Sequence, residues 1–339
     1  MLKISDKKII VAVGSGQFIC EESEKILALC SYLKEEKNKE ELDDFALKND
    51  INSDLIEKLI LSNIITTNAT LFESKNLPEF KNWLYLDVLY NENSKKIQDE
   101  LANCNFIIVG TGGIGTCMAY TLAFYGVKKL VLIDGDKVEL SNLNRQFLFD
   151  KTDIGKHKAQ ALKKSLLERG ADCQIEAINE YADEKNLSFI LEKLRGQKSL
   201  MLVSADGEDI LKFATKAAFV YEIPCLNIGY LNDISVIGPF FIPNISSCTF
   251  CNNAFFVDEK QAPQDEMLKR INAHSSAPSS FANNSLASNM ALMDIFTYLG
   301  GDFDDISSFN KRVRVCNKNF AKLELPNPLD KNCAHCQGR

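Results

Sequence analysis

The sequence predicts an α/β fold: a doubly wound, mostly parallel Rossmann-like sheet with an antiparallel C-terminal extension, zinc-stapled, preceded by a small winged-helix-like N-terminal domain. Three observations carry that expectation. The apolar run from Asn105 breaks into Gly110, Gly112 and Gly115, and a second apolar run ends in Asp134, the spacing of a mononucleotide-binding β-α-β unit. Helical and apolar stretches then alternate as far as Ile228, as a parallel sheet with crossover helices requires. Beyond Gly229 the pattern changes to antiparallel-looking segments, flanked by Cys248-x-x-Cys251 and Cys333-x-x-Cys336.

Residues 1–80 form the first expected domain, a winged-helix-like peptide clamp, and residues 81–339 the second, which binds nucleotide. In the first, a strand at Ile9–Val13 meets a Gly14-Ser15-Gly16 turn. Helical patterns follow around Glu24–Lys37, Glu40–Asn49 and Ser53–Ser62, with Asn52 as a helix start. This stretch holds 10 lysines against 15 acidic residues. A DNA-binding winged helix should be basic, so a peptide is the better ligand, added as a strand along an exposed edge at Ile9–Val13. A dimer-stabilising or merely structural appendage is the other reading.

Leu77–Asn93 reads as the connection between domains, and Lys95–Asn103 as a short helix. After the glycine loop, Thr116–Tyr125 is a helix closed by Gly126, and Lys129–Ile133 is the second buried strand. Lys156–Arg169 is a helix ended by Gly170, and Cys173–Ile178 a strand. Leu187–Leu194 and Ile210–Tyr221 are helices that alternate with strands at Ser199–Ser204 and Pro224–Ile228. Segments near Ser235–Ile242 look antiparallel, and Val257–Asn284 is a long polar loop of the kind that is seldom idle. Ser285–Leu299 is a helix capped by Gly300-Gly301, and Lys311–Cys316 with Phe320–Leu325 makes a final hairpin.

Composition excludes several functions. The net charge of −7 offers no basic field for a nucleic-acid polymer or an anionic membrane, and no apolar run reaches the length of a membrane helix. A single nucleotide remains compatible, because a loop and a helix N-terminus hold phosphate without excess cations. Eleven cysteines behind an N-terminus unlike a signal peptide read as reduced thiols in a cytoplasmic protein, not as a disulfide framework.

Candidate chemistry gathers at the ends of the expected strands. Asp134 is placed to hold ribose hydroxyls, and Asp136 follows it across Gly135 in a turn whose simpler reading is two solvated carboxylates. Asn144 and Arg145 come next, and Arg145 is the first arginine in the chain. Its fork of donors suits the charge that builds up in phosphoryl or nucleotidyl transfer. Lys158 offers a further charge for phosphate, or is a surface lysine. Asp206 stands where it binds Mg²⁺, with helix capping as the alternative. Cys248, Cys251, Cys333 and Cys336 suit tetrahedral, structural Zn²⁺ with no open position. The other cysteines lie among apolar residues, and none falls in the long loop, so a loop nucleophile is absent.

GTGGIG, DGDKVELSNLNRQ, GKHKA around Lys158, Asp206 and the two CxxC pairs resemble the adenylating domain of the ubiquitin-activating-enzyme superfamily, which includes the ThiF and MoeB sulfur-carrier adenylyltransferases. The resemblance covers about residues 85–339. NIGYLNDISVIGPFFIP and SAPSSFANNSLASNMAL look closer to its microcin C synthase (MccB) branch of peptide nucleotidyltransferases.

The resemblance implies that Gly110, Gly112 and Gly113 line the phosphates, Asp134 holds ribose, Asn144 and Arg145 contact phosphate, Lys158 reaches the triphosphate and Asp206 binds Mg²⁺. It further implies ATP or CTP as the nucleotide, a short precursor peptide as substrate, and a homodimer. Two departures weaken the sulfur-carrier reading. Gly207 stands where those enzymes have asparagine after the magnesium aspartate, and residues 1–144 contain no arginine. Alternatives are an adenylyltransferase for a sulfur-carrier or ubiquitin-like protein, a nicotinamide oxidoreductase, and a non-enzymatic peptide-binding scaffold with a decayed nucleotide site.

Overall fold

The computed structural model describes residues 2–5, 8–13, 16–21, 24–62, 64–65, 77–206, 208–253 and 278–336. The chain divides into two compact units, Met1–Asp99 and Glu100–Arg339.

The first unit opens with three antiparallel strands, β1 (Leu2–Ser5), β2 (Lys8–Val13) and β3 (Gly16–Glu21), in the order β1-β2-β3. The expected exposed edge at Ile9–Val13 is therefore corrected. Leu2 pairs with Ile10 on one side of β2 and Val11 with Phe18 on the other, so the edges belong to β1 and β3. Three helices follow: α1 (Glu24–Tyr32), α2 (Lys39–Lys48) and α3 (Ser53–Leu61). Asn38 and Glu41 close a capping box on α2, and the Asn52 side chain accepts from the Asp54 amide to start α3. Leu29, Ala46, Ile56 and Leu59 form their core, and Tyr32 stacks on Phe45 at 4.0 Å.

The expected connection at Leu77–Asn93 is instead largely helix, α4 (Phe80–Tyr90), followed by α5 (Ser94–Asn103). Nothing between Phe80 and Tyr90 breaks a helix, and Pro78 lies ahead of the first turn, where it does no harm.

The second unit is an eight-stranded sheet in the order β11-β10-β9-β8-β7-β4-β5-β6. Its parallel part comprises β4 (Asn105–Val109), β5 (Lys129–Ile133), β6 (Gln174–Ile178), β7 (Ser199–Val203) and β8 (Cys225–Leu231). Antiparallel pairing extends it through β9 (Ile234–Phe241), β10 (Lys311–Cys316) and β11 (Lys322–Pro326). Every residue of β4 and β7 is buried, as a central parallel strand covered on both faces requires.

The crossover helices are α6 (Gly113–Ala123), α7 (Lys158–Glu168), α8 (Glu184–Lys193) and α9 (Glu208–Tyr221). One face of β4, β5 and β7 packs on Leu187, Leu191, Ala214 and Ala218 of α8 and α9. The long α10 (Phe281–Gly300) begins four residues before the expected helix, with Ser280 and Asn283 in a capping box, and ends at Gly301 with φ +89°. The rest of the expected polar loop, residues 257–277, lies outside the described residues. Among those residues no helix is long and apolar enough to cross a membrane.

Candidate functional site

Val109, Ile133 and Val203 are paired in register on three adjacent parallel strands, so the residues after them leave the sheet at one level. Chain order reverses there: β4 is followed by β5 on one side and flanked by β7 on the other. This is the switch point at which open α/β sheets bind ligands.

The glycine loop is built for close approach. Gly110 has φ +90°, and a Cβ there would lie 2.8 Å from the Ala205 amide nitrogen. A Cβ on Gly115 would lie 2.0 Å from the Gly110 carbonyl oxygen, so α6 packs directly on the loop. Gly113 is closed in by the Asn284 side chain at 2.6 Å, whereas a Cβ on Gly112 would meet nothing nearer than Gln146 Nε2 at 3.8 Å. Among the described residues the space above Gly112 is open, at the N-terminus of α6 where a phosphate would be held.

Thr111 and Ser204, which the sequence did not single out, hold this loop in place. Thr111 donates its amide at 2.6 Å and its hydroxyl at 3.0 Å to Asp134 Oδ2. Ser204 Oγ donates to the Gly110 carbonyl at 2.9 Å. Asp134 Oδ1 accepts the Asp136 amide at 2.8 Å. Oδ2 is filled by its two donors, but Oδ1 keeps a lone pair in reserve, so a ribose hydroxyl still finds an acceptor there.

Asp136 is engaged otherwise. Its Oδ2 pairs with Lys158 Nζ at 2.7 Å, and its Oδ1 accepts the Tyr181 hydroxyl at 2.8 Å. Lys158 opens α7 and is 8% exposed, which answers the alternative of a surface lysine. Tyr181 itself lies over Gly135, where a Cβ would sit 2.6 Å from its ring.

Arg145 is half-buried, and its guanidinium donates to the Ser141 carbonyl at 2.7 Å and to the side chain of exposed Asn144 at 3.0 Å. Gln146 is 2% exposed with a partnerless Oε1, an orphaned polar atom beside the loop that fits a polar ligand there. Asp206 follows β7 by three residues, is exposed, and makes no hydrogen bond or ion pair among the described residues. A carboxylate left open at this level suits a hard cation.

The four remaining candidates converge elsewhere. Cys248, Cys251, Cys333 and Cys336 are all buried with their sulfurs within 4.8 Å of one another. Individual S···S distances are 3.7 Å, 3.9 Å and 3.6 Å, close to the edge of about 3.8 Å that tetrahedral bonds of about 2.3 Å generate. The thiols are free of disulfides. Their crowding polarises them: hydrogen bonds from Cys248 and Cys336 draw the Cys251 thiol far below its ordinary value, while the Cys248 thiol is pushed up. Four such sulfurs fit a thiophilic metal, and His335 stands aside, its ring 4.5 Å from that of Phe250. Burial pushes the Cys104 and Cys225 thiols up to about 12, which makes them core residues and not nucleophiles; Cys173 and Cys316 are only half-buried.

The sequence matches the ThiF family over residues 86–334. It is 32% identical over 142 residues to SUMO-activating enzyme subunit 2 of Dictyostelium discoideum, a match covering 41% of this chain and 21% of that protein. The chain spans about a fifth of the length of the curated relatives it matches.

Among solved structures it resembles E. coli MccB with succinimide, at a TM-score of 0.78 and 25% identity over 98% of both chains. MccB with ATP gives 0.75 at 25% identity, again over 98% of each chain. The microcin C7 biosynthetic enzyme MccB with N-formylated MccA gives 0.74 at 25% identity, with the same coverage.

Proposed function

The chain belongs to the ThiF family, and from that premise we propose that it is a nucleotidyltransferase that activates the C-terminus of a short ribosomal peptide with a nucleoside triphosphate. The observation that carries this reading is the open space over Gly112 among the described residues, flanked by Asp134 directly after β5 and Asp206 three residues after β7. A peptide carboxylate is a poor electrophile with a poor leaving group. Attack of its oxygen on the α-phosphorus forms an O–P bond, breaks the bond to the β-phosphate, and expels pyrophosphate with the electron pair. A carbonyl group with a competent leaving group results.

Each residue has a role that needs no covalent enzyme intermediate. The amides of Gly112 and Gly113 receive phosphate, and Asp134 orients ribose while tying down Thr111. Arg145 and Asn144 lie on the loop after β5, and Arg145 must exchange its bond to the Ser141 carbonyl for a phosphate oxygen. Lys158 stands ready beside Asp136, which positions it. Asp206 is the residue to hold Mg²⁺, which when bound neutralises charge on the departing pyrophosphate.

The microcin-type outcome, a nucleotide left on the peptide through a phosphoramidate link, draws support from full-length similarity to E. coli MccB solved with succinimide, ATP and MccA. ATP is the default nucleotide and CTP the variant to test. The first unit, with its two strand edges at β1 and β3, is the natural peptide clamp, and cysteine-bound zinc and a homodimer complete the picture. The relationship to a SUMO-activating subunit favours a second reading, activation of a ubiquitin-like or sulfur-carrier protein.

Incubation with the peptide encoded beside the gene and each of the four triphosphates, read by product mass and pyrophosphate release, separates them. A peptide heavier by one nucleotide supports the first reading. An unchanged peptide with every triphosphate sinks it. Asp206→Ala should abolish pyrophosphate release, and a wild-type rate in that variant removes Asp206 from the mechanism.

A further inference from the structure

Two of the chain's arginines, Arg312 and Arg314, stand on β10 two residues apart and so face the same side of the sheet. Val313 between them faces the other way and is 2% exposed. Arg314 is half-buried, its Nε is enclosed without an acceptor, and no carboxylate pairs with it among the described residues. Glu324 on β11 pairs across from Val313 and so faces the other side of the sheet, where Lys311 and Lys322 share it. Burial and the neighbouring charge of Arg314 push the Arg312 guanidinium down to about 10. A half-buried guanidinium beside a second one, with no acid of its own, loses hydration and is repelled, a cost that an anion at Arg314 removes.

The register fixes where that anion would sit. Arg314 pairs with Val236 on β9, and Val236 with Gly229 on β8, so the three form one row across the sheet. Ser235, the next residue on β9, bonds the Asn283 carbonyl of α10, so the row lies on the opposite face. That is the face of Cys225, Met201 and Val203, which pack with α8 and α9. Val203 pairs with Asn227, so Gly229 lies two residues further along β8, toward the same end of the sheet at which Asp206 follows β7. Among the described residues a Cβ on Gly229 would meet nothing within 4 Å, so the sheet surface there is open. Three interstrand spacings of about 4.8 Å separate β7 from β10.

We propose that Arg314, with Arg312 beside it, receives the carboxylate of the acceptor peptide as it enters over Gly229 toward Asp206. The assignment rests on the nucleotidyltransferase reading and adds to it the acceptor's anchoring point. The nucleotide's anions have their own cations, Lys158 and Arg145, on the β4–β5 side of Asp206. The second reactant is also an anion, and a chain with a net charge of −7 gives it no general attraction. A local cation is needed on the acceptor side, and a guanidinium fork matches a carboxylate through two parallel hydrogen bonds as an ammonium does not.

The test uses the full chain and two probes, N-acetylasparagine with its carboxylate free and the same molecule capped as its amide. Binding of each, and separately of ATP, is measured by calorimetry and ligand-observed NMR on wild type, Arg314→Gln and Arg314→Lys. Wild type should bind the free carboxylate at least about tenfold better than the amide, the worth of one charge-assisted contact. Arg314→Gln should erase that preference and Arg314→Lys keep part of it, with ATP binding unchanged in both. Equal binding of the two probes by wild type, or a preference that survives Arg314→Gln, overturns the assignment. A preserved carboxylate preference in a protein that binds no triphosphate instead supports the anion site and strikes at the nucleotidyltransferase reading alone.

Discussion

Gly112 and Gly115 stand three residues apart and are glycine for different reasons. At Gly115 a methyl group would sit 2.0 Å from the Gly110 carbonyl, so Gly115→Ala must push α6 off the sheet. Its expected cost is about 1–3 kcal/mol, measured by urea unfolding. At Gly112 the nearest atom is 3.8 Å away and the backbone is extended, so Gly112→Ala should fold as well as wild type. It should nevertheless lose nucleotide affinity, because the methyl occupies the phosphate's place. Equal affinity in that variant would remove the loop from the site.

Charge gives a second prediction at the same scale. Lys158 beside Asp136 holds that carboxyl below its ordinary 3.8, with the Tyr181 hydroxyl assisting and burial opposing. A depressed carboxylate stabilises the fold above its unfolded value and ceases to do so as pH falls through the lower folded one. Lys158→Met should therefore raise the Asp136 midpoint in a carboxyl NMR titration; a midpoint that stays put denies the pair. The sequence pointed to the glycines, Asp134, Arg145 and Lys158 through spacing along one chain segment, and to Asp206 through its place after an apolar strand. Thr111 and Ser204 gave no such signal, since their contacts with the loop join residues that no local pattern connects.

At the scale of elements, α10 shows how a buried charge can serve packing. Asp294 is 2% exposed, yet its carboxylate accepts four hydrogen bonds, the amides and hydroxyls of Ser307 and Ser308. Those bonds fix the turn before β10, and Ser308 in turn accepts the Phe240 amide on β9 through its carbonyl. Asp294→Ala leaves several buried donors without a partner and should cost about 3 kcal/mol in chemical denaturation, with Asp294→Asn losing less. A loss within experimental error would make the clamp ornamental.

The strands of the parallel sheet were readable as apolar runs between glycines. The start of α10 was not, because Ser279, Ser280, Asn283 and Asn284 look like loop residues until their side chains are seen capping the helix and bracing Gly113. Nor did β2 disclose its central position, which depends on a four-residue partner, β1, too short to stand out.

On the scale of the whole second unit, the four cysteines close the chain's last elements onto β9's exit. Other bonds assist: Asn327 Nδ2 donates to the Cys248 carbonyl at 2.8 Å, Asn252 Nδ2 to the Pro328 carbonyl at 2.7 Å, and the Ser247 amide to Asn310 Oδ1 at 2.7 Å. A metal on these sulfurs would chiefly tie down the tail beyond Asp330, while the glycine loop on β4 is held by its own bonds to Asp134 and Ser204. Elemental analysis of the native protein should give about one zinc per chain, and Cys333→Ser should lose it. Chelation should lower the melting temperature and expose the segment around Asp330–Cys336 to protease while ATP affinity stays near that of the holoprotein. Four uncompensated thiolates cannot share so small a space, so metal-free protein should also take up protons at this cluster as the pH falls through the range where the metal-bound form takes up none. Native protein without zinc, or ATP binding that vanishes together with the metal, contradicts this division of labour.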